Sequence, residues 1–397
     1  MIRIGIHSDV PDSIVEQNLG GMLQFAADHG DMRIRDCRIA LHGYDFRHSD
    51  PPWKDRVDGA LISIGLEHGE SPEVIADWVA RGGVPVVSMA ADILHRRIPV
   101  VCTEMASIAR LAAQHLIEAG CRSFLHAGYA LSMGSPRRAE AFRTELAGRG
   151  LELAEFEFEA KLEEEADRGD LAADAERLVL LLQSLPKPVG VLGLGDPFAR
   201  GVVRVCQSAG LHVPDEVAVV GMDDTPVAFA QQPRLTSICY PGEEVAYRAM
   251  TLLVKLINGG RRPRKLIEVP ATRINVREST SSASKDGDEL ASAVQMIADR
   301  AAAGLTVAEL VEALSVSRRW LELEFRNHLG RSPNQEIQRV RLLRARRLLE
   351  LSNVSITQVA ENLGFAESSG LTHFFQKHTG YSPKEYRAWA HQVRGEA

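Results

Sequence analysis

The feature that most constrains this 397-residue chain is a stretch near its end, residues 355–387, SITQVAENLGFAESSGLTHFFQKHTGYSPKEYR, which reads as two short amphipathic helices around a tight turn. Ser355 with Gln358 three residues on makes a capping box, and Ile356, Val359, Ala360 and Leu363 follow at helical spacing on one face. Gly364 ends that helix as a C′ glycine can. A second helix from about Glu367 buries Leu371, Phe374, Phe375 and His378. Its opposite face presents Ser368, Ser369, Thr372, His373 and Gln376, small or uncharged side chains that suit approach to base edges.

The pattern occurs twice. Val307, Leu310, Val311 and Leu314 stand 49 residues before Ile356, Val359, Ala360 and Leu363, and Thr306 with Glu309 forms another capping box. Past the turn the offset becomes 50, so SRRWLELEFRNHLGRSP echoes ESSGLTHFFQKHTGYSP and the second turn is one residue longer. Two helix-turn-helix units, at about 306–328 and 355–378, are thus joined by a basic helical segment from Gln335 to Leu351. The residues Leu314, Leu321, Phe325, Gly330, Ala360, Gly364, Phe365, Phe374, Phe375, Gly380, Ser382, Pro383, Tyr386 and Arg387 resemble the DNA-binding domain of the AraC family. That resemblance implies two recognition helices in successive major-groove segments of operator DNA, with Arg319 at a base-contacting position. The face expected on DNA holds Arg318, Arg319, Glu322 and Arg326 from the first unit and Ser368, Ser369, Thr372, His373 and Lys377 from the second.

Charge divides the chain the same way. Residues 300–397 hold 14 Lys and Arg against 10 Asp and Glu, a net of +4, so the whole-chain value of −7 leaves −11 for the rest. An acidic sensor joined to a moderately basic reader fits that asymmetry, with positive charge concentrated in Arg339, Arg341, Arg344, Arg346 and Arg347. The five cysteines lie far apart and suggest neither a disulfide framework nor a zinc site, and no apolar run of 18 residues occurs. A cytoplasmic protein without membrane span, metal or cofactor is expected.

Before residue 279, strands alternate with helices: Ile2 to Ile6, 57–64, Val84 to Met89, Ser123 to Ala127, VGVLGLG and EVAVVGM are each followed by a helical pattern. Such alternation over some 270 residues predicts more than one parallel sheet with helices on both faces. Ligands of such sheets bind beyond the carboxyl ends of the strands, which selects Ser8, Asp9, Asp196, Asp223 and Asp224. Carboxylates and a guanidinium match the hydroxyls of a sugar. The segment PDEVAVVGMDDTPVAFAQQPRLTSICYPGEEVAYRAMTLLVKLINGG is similar to the effector domain of the LacI/GalR family, a two-lobed periplasmic-binding-protein-like fold. By that resemblance Asp223 and Arg138 of RRAEAF contact the sugar.

The organisation expected is therefore a two-lobed α/β domain over 1–278, a small polar linker over 279–289 (STSSASKDGDE), and an all-α double helix-turn-helix domain over 290–397. The two resemblances together imply a sugar-responsive regulator that activates a pentose (xylose-like) utilisation operon, with RNA polymerase as a partner and a homodimer as its form. Other monosaccharides, or repression, are the alternatives. A dinucleotide enzyme fails on spacing, because Phe198 stands where GLGDPFARG needs its third glycine, and no G-x-S-x-G, H-E-x-x-H or P-loop occurs. A periplasmic sugar carrier is disfavoured by an N-terminus that runs directly into the strand IRIGI.

Overall fold

The computed structural model describes all residues except 9–11, 31, 38–43, 65–70, 133, 160–167, 226–227, 230–231, 264–265, 282–287, 302–303, 330, 352–353, 366, 380 and 395–397. The chain divides into two compact units, Met1–Ser284 and Lys285–Ala397.

The first unit holds two principal sheets. One has the order β2-β1-β3-β4 and is parallel throughout, from β1 (Ile2–Ser8), β2 (Met32–Asp36), β3 (Gly59–Ser63) and β4 (Val86–Ser88). Period-two alternation sorts its side chains. Ile4, Ile6, Leu61 and Val87 pack on helices α1 (Asp12–His29) and α7 (Gly242–Ile257). Ala60 and Ile62 face Trp53 and the Trp78 and Ile75 of α2 (Pro72–Arg81). The other sheet has the order β12-β10-β9-β8-β6-β7, from β6 (Ser123–Tyr129), β7 (Leu153–Phe158), β8 (Val189–Gly193), β9 (Val217–Asp223), β10 (Thr236–Cys239) and β12 (Ile274–Asn275). Only β12 runs antiparallel. Helices α3 (Met105–Glu118) and α4 (Gly134–Ala147) cover one face around Phe124, Phe142, Leu192 and Met222, and α6 (Asp196–Ser208) packs on β8 and β9.

Between the lobes the chain passes three times. A small parallel pair, β5 (Val101–Glu104) with β11 (Ile267–Pro270), places Val101 and Val269 in the first lobe's core. From it the chain leaves into α3 and into β12, and the third passage runs from β10 through Tyr240 into α7. Ser107 ties two passages together: its hydroxyl donates to the Glu104 carbonyl at 2.7 Å and accepts the Ala271 N–H at 2.8 Å.

Ser279 and Thr280, placed in the linker by composition, belong to the second lobe. Ser279 Oγ donates to the Val219 carbonyl at 2.5 Å and accepts the Thr236 N–H at 2.8 Å, while Thr280 Oγ1 meets Thr236 Oγ1 and His115 Nε2, each at 2.7 Å. Small hydroxyl side chains suit a linker and a buried edge equally, which is why composition misassigns them. At the other end of the expected linker, Asp288 and Glu289 already lie in a helix.

The second unit is helical among its described residues. Helices α8 (Asp288–Arg300), α9 (Val307–Leu314), α10 (Arg318–Leu329), α11 (Pro333–Leu351), α12 (Ile356–Asn362), α13 (Ser368–Thr379) and α14 (Pro383–Arg394) follow one another. Sequence chemistry sets their ends. Thr306 and Glu309 form a reciprocal capping box, and so do Ser332 with Gln335 and Ser382 with Glu385. Ser315 closes α9 at φ +54°, the position matched across the repeat by Gly364 at φ +69°. One repeat thus places a serine where the other uses the residue that adopts this backbone without strain.

Candidate functional site

The crevice of the first unit is lined by the carboxyl ends of both sheets, and four of its five sequence-selected residues lie among the described ones; Asp9 lies outside them. Their situations differ. Asp196 opens α6 and is fully buried. Its Oδ2 accepts the Thr225 N–H at 2.7 Å and the Thr225 hydroxyl at 2.9 Å, and its Oδ1 meets the Ser237 hydroxyl at 2.6 Å. Gly221 on β9 makes room for it, since a Cβ there would stand 2.3 Å from Oδ1. Burial and the nearby Asp223 push the Asp196 carboxyl up to about 8. These contacts fasten the β9–β10 turn to α6 and leave the carboxylate no exposed surface.

Asp223 ends β9 in left-handed backbone at φ +97°, and Asp224 follows at φ +51°. For non-glycine residues such conformations cost on the order of 1–3 kcal/mol, and they persist where the surroundings over-determine them. Here Asp224 supplies the anchor. Arg277 donates to its Oδ1 at 2.6 Å, Asn275 to its Oδ2 at 2.5 Å, and its own N–H donates to Ser237 Oγ at 3.1 Å. Arg277 in turn lies 3.9 Å over the Phe229 ring. Asp223 is thereby turned into the crevice, half-buried, and its carboxylate makes no hydrogen bond among the described residues. Burial raises it to about 6 even though the neighbouring Arg138 guanidinium pulls the other way.

Arg138 lies on α4. Its Nε and Nη1 are buried without a hydrogen-bond partner among the described residues, and its charge is balanced by Asp223 from its own lobe and Asp92 from the other. Ser8, at the end of β1, has a buried hydroxyl that is also without a partner among the described residues. Buried polar atoms are nearly always satisfied, so guanidinium nitrogens on α4 and a hydroxyl at the end of β1 that lack partners among the described residues mark a place for a polar ligand. A neutral polyol suits it, because a hydroxyl accepts from Arg138 and donates to Asp223.

Several residues here lack a sequence signal. Asp92 follows β4 and reaches the start of α4, where a Cβ on Gly134 would lie 2.7 Å from its Oδ1. Gln17 of α1 reaches the second lobe at Asp223, and Asn18 reaches the passage between the lobes at Tyr240. Half-buried Phe198, read only as a failed glycine, stacks on Tyr129 at 5.5 Å beside the β8 end. His126 is buried under α4 with both ring nitrogens without a hydrogen-bond partner among the described residues, and burial together with Arg138 and Arg143 pushes it down to about 3.

In the second unit the buried stripe of α10 is Leu321 and Phe325, and Arg318, Arg319, Glu322 and Arg326 are exposed. Arg318 Nε pairs with Glu322 at 3.0 Å along the helix. On α13, Leu371 and Phe375 are buried; Ser369, His373, Gln376 and Lys377 are exposed, and Ser368 and Thr372 are half-buried. Thr372 Oγ1 donates back to the Ser368 carbonyl at 2.8 Å, and Ser369 Oγ donates to Glu367 at 3.0 Å. His378, expected in the core, is exposed and lies 4.5 Å from the Phe374 ring, with Nδ1 2.7 Å from the Phe374 carbonyl. Helical spacing gives the direction of a side chain, and a polar ring at the end of the stripe tilts out to water. Leu323 was not selected, yet it is 53% exposed and shares with Arg319, Glu322 and Arg326 an arc of about 100°. The repeat matches it to His373.

The arginines of α11 are less available than their number suggests. Arg339 forks onto buried Glu336 at 2.7 and 2.9 Å. Arg341 donates to the Leu363 carbonyl at 2.6 and 3.1 Å and lies 4.2 Å over the Phe365 ring, so it caps α12 and fixes the turn before α13.

These two architectures define a transcription regulator in which a periplasmic-binding-protein-like domain precedes an AraC-type helix-turn-helix domain. Residues 113–280 match the periplasmic binding protein-like domain family and residues 310–388 the helix-turn-helix domain family. The chain is homologous to the xylose operon regulatory protein of Haemophilus influenzae, 26% identical over 383 residues and 95% of each chain. It is homologous also to that of Escherichia coli K12, 26% identical over 392 residues, 95% of this chain and 93% of the other. In fold it is similar to a solved xylose-binding transcription activator, with a TM-score of 0.58, 22% identity and 98% of both chains covered. Among the described residues no helix is long and apolar enough to cross a membrane.

Proposed function

We propose that this protein is a cytoplasmic, homodimeric activator of a sugar-utilisation operon that binds a neutral monosaccharide of the pentose, xylose-like class in the crevice of its first unit and operator DNA through α10 and α13. The observation that carries the reading is the juxtaposition, in one lobe, of a strand-end carboxylate held in left-handed backbone, Asp223, with the Arg138 guanidinium of α4, whose buried Nε and Nη1 have no hydrogen-bond partner among the described residues. The homologues that match along nearly the whole chain are regulators of xylose operons, which supports a pentose. In this reading Asp223, Arg138 and Ser8 touch the sugar, and Asp9, next to Ser8 in sequence, is a further candidate. Asp196 acts through Asp223 and Thr225, holding the turn that presents them.

On DNA, Arg319 and Arg326 suit guanine edges, and Glu322 suits the amino group of cytosine. Leu323 suits a thymine methyl. Ser369, Thr372 and His373 read the second groove segment, flanked by Ser368, while Lys377 and Arg318 meet phosphates. Activation through RNA polymerase follows from a sugar-stabilised placement of two such domains in a dimer.

Calorimetry of the full chain against D-xylose, L-arabinose, D-ribose and D-glucose tests the sensor, and gel shifts against the region upstream of its own gene test the reader. The expected result is selective binding of a pentose and a sequence-specific shift that the pentose strengthens. Binding of random DNA as tightly as the promoter, or of none of the four sugars, contradicts it.

A further inference from the structure

Two consecutive amides on α1 reach across the crevice. Gln17 Nε2 donates to the main-chain carbonyl of Asp223 at 3.1 Å, and Asn18 Oδ1 accepts the Tyr240 hydroxyl at 2.9 Å. Helix α1 belongs to the first lobe, packed on α7 and β1. Asp223 ends a strand of the second, and Tyr240 stands in a passage between the two.

The approach is close by construction. A Cβ on Gly242 would stand 2.8 Å from the Gln17 Cβ and 2.7 Å from the Tyr240 ring, so glycine at the start of α7 lets Gln17 lie against the passage. Asn18 is buried, and burial raises the Tyr240 phenol above its ordinary value, so this second bond joins two desolvated neutral groups. One turn of α1 therefore grips both the moving passage and the peptide of the candidate sugar-binding residue.

The peptide that Gln17 holds is the strained one. The other restraints on this turn come from the second lobe: Asp196 on Thr225, Ser237 on the Asp224 N–H, and Arg277 with Asn275 on the Asp224 carboxylate. They fix residues 224 and 225, while the β9–β10 ladder pairs Asp223 with Cys239. Gln17 acts on the Asp223 carbonyl itself, and it acts from the opposite lobe, so its bond exists only when the lobes are near.

We infer that Gln17 is a positioning residue for Asp223, making the sugar-ready orientation of that carboxylate conditional on lobe closure without itself touching the sugar. The inference rests on the sugar-binding reading of Asp223. It gives the two lobes a direct link, in which closure completes the site and an occupied site favours closure.

The test uses the full chain with Gln17→Ala and Gln17→Glu. The glutamate keeps the size and packing of the side chain but sets a carboxylate against a carbonyl and the Asp223 carboxylate, so a packing role predicts a mild effect and the proposed role a larger one than alanine. Without any sugar, amide hydrogen exchange of the peptides covering 222–225 is expected to speed up several-fold in both variants. Exchange unchanged from wild type overturns the inference, whether or not a sugar is known. With the pentose that binds wild type best, affinity is expected to fall roughly 3- to 30-fold in Gln17→Ala and further in Gln17→Glu. In an Asp223→Asn background the same Gln17→Ala change is expected to cost little more. An equal loss in both backgrounds shows an independent contact and overturns the inference. If none of the four sugars binds wild type, the sugar reading fails by itself, and the exchange result still decides for or against the link.

Discussion

The two units keep their candidate functional side chains in opposite states. In the crevice they are buried or half-buried, and Asp223 is raised in pKa and held in strained backbone, whereas on α10 and α13 most stand exposed on regular helices. A burial-based site is built by many contacts that themselves look functional, and Asp196 and Asp223, both at strand ends, show the danger. One is committed to its own fold, and the carboxylate of the other makes no hydrogen bond among the described residues. An exposed site has no such ambiguity of commitment, but nothing around it ranks its members.

The largest effect expected breaks that pair apart. Asp196→Ala leaves the buried Thr225 N–H and the Ser237 hydroxyl without their acceptor, at about 1–3 kcal/mol each, and should lower the melting temperature by many degrees. Asp223→Ala should lower melting less, because Asp92 still faces the Arg138 charge, and weaken pentose binding by about 1–3 kcal/mol or some 5- to 150-fold in calorimetry. Equal melting losses in the two would collapse the distinction.

Acid and base sharpen it further. The folded-state value of Asp196 is raised to about 8 from an ordinary value near 3.9, so its contribution to stability is fully present below that ordinary value and is lost as pH rises towards 8. Melting curves of wild type and Asp196→Asn between pH 5 and 8 should show this slope only in wild type. Asp223, raised to about 6, should give pentose binding that weakens below pH 6, and Asp223→Asn should remove the dependence.

On the reading surface the expected effects are comparable or smaller. Arg319→Ala should cost about 1–3 kcal/mol of operator affinity and relax the preference at particular base pairs in a competition assay. Arg341→Ala should instead destabilise the second unit by about 1–2 kcal/mol, because it uncaps α12, and leave the salt dependence of DNA binding unchanged. Lys377→Ala should be the mildest, lowering the slope of log affinity against log salt by about one. A large loss of salt dependence in Arg341→Ala would place that arginine on phosphate after all.

How far the sequence could be read follows the same division. The periods of α9, α10, α12 and α13 and the capping residues Thr306 and Ser355 are local, so their helices and turns were legible to within a residue or two. So were β1, β3, β6, β8 and β9, whose apolar runs are long. The pair β5 and β11 was not, because each is four residues long and its partner lies more than 160 residues away. Likewise β7, LAEFEF, is half acidic at its exposed positions and reads as loop. In the site, strand ends pointed to Ser8 and Asp223, but whether a carboxylate is already engaged depends on hydroxyls at 225 and 237 that no local pattern ties to residue 196. Gln17 and Asp92 come from the opposite lobe and carry no motif. Leu323 was passed over because a leucine on a helix is ordinarily core, and only its exposure sets it on the outer face.

In the proposed function the crevice and the helices α10 and α13 are energetically linked. Operator affinity of the full chain, measured by fluorescence anisotropy at fixed salt with and without saturating pentose, tests this most directly. The expected result is a change of about 5- to 150-fold on adding pentose, matched by an equal change in pentose affinity on adding operator. Tight binding of both, each indifferent to the other, would contradict it.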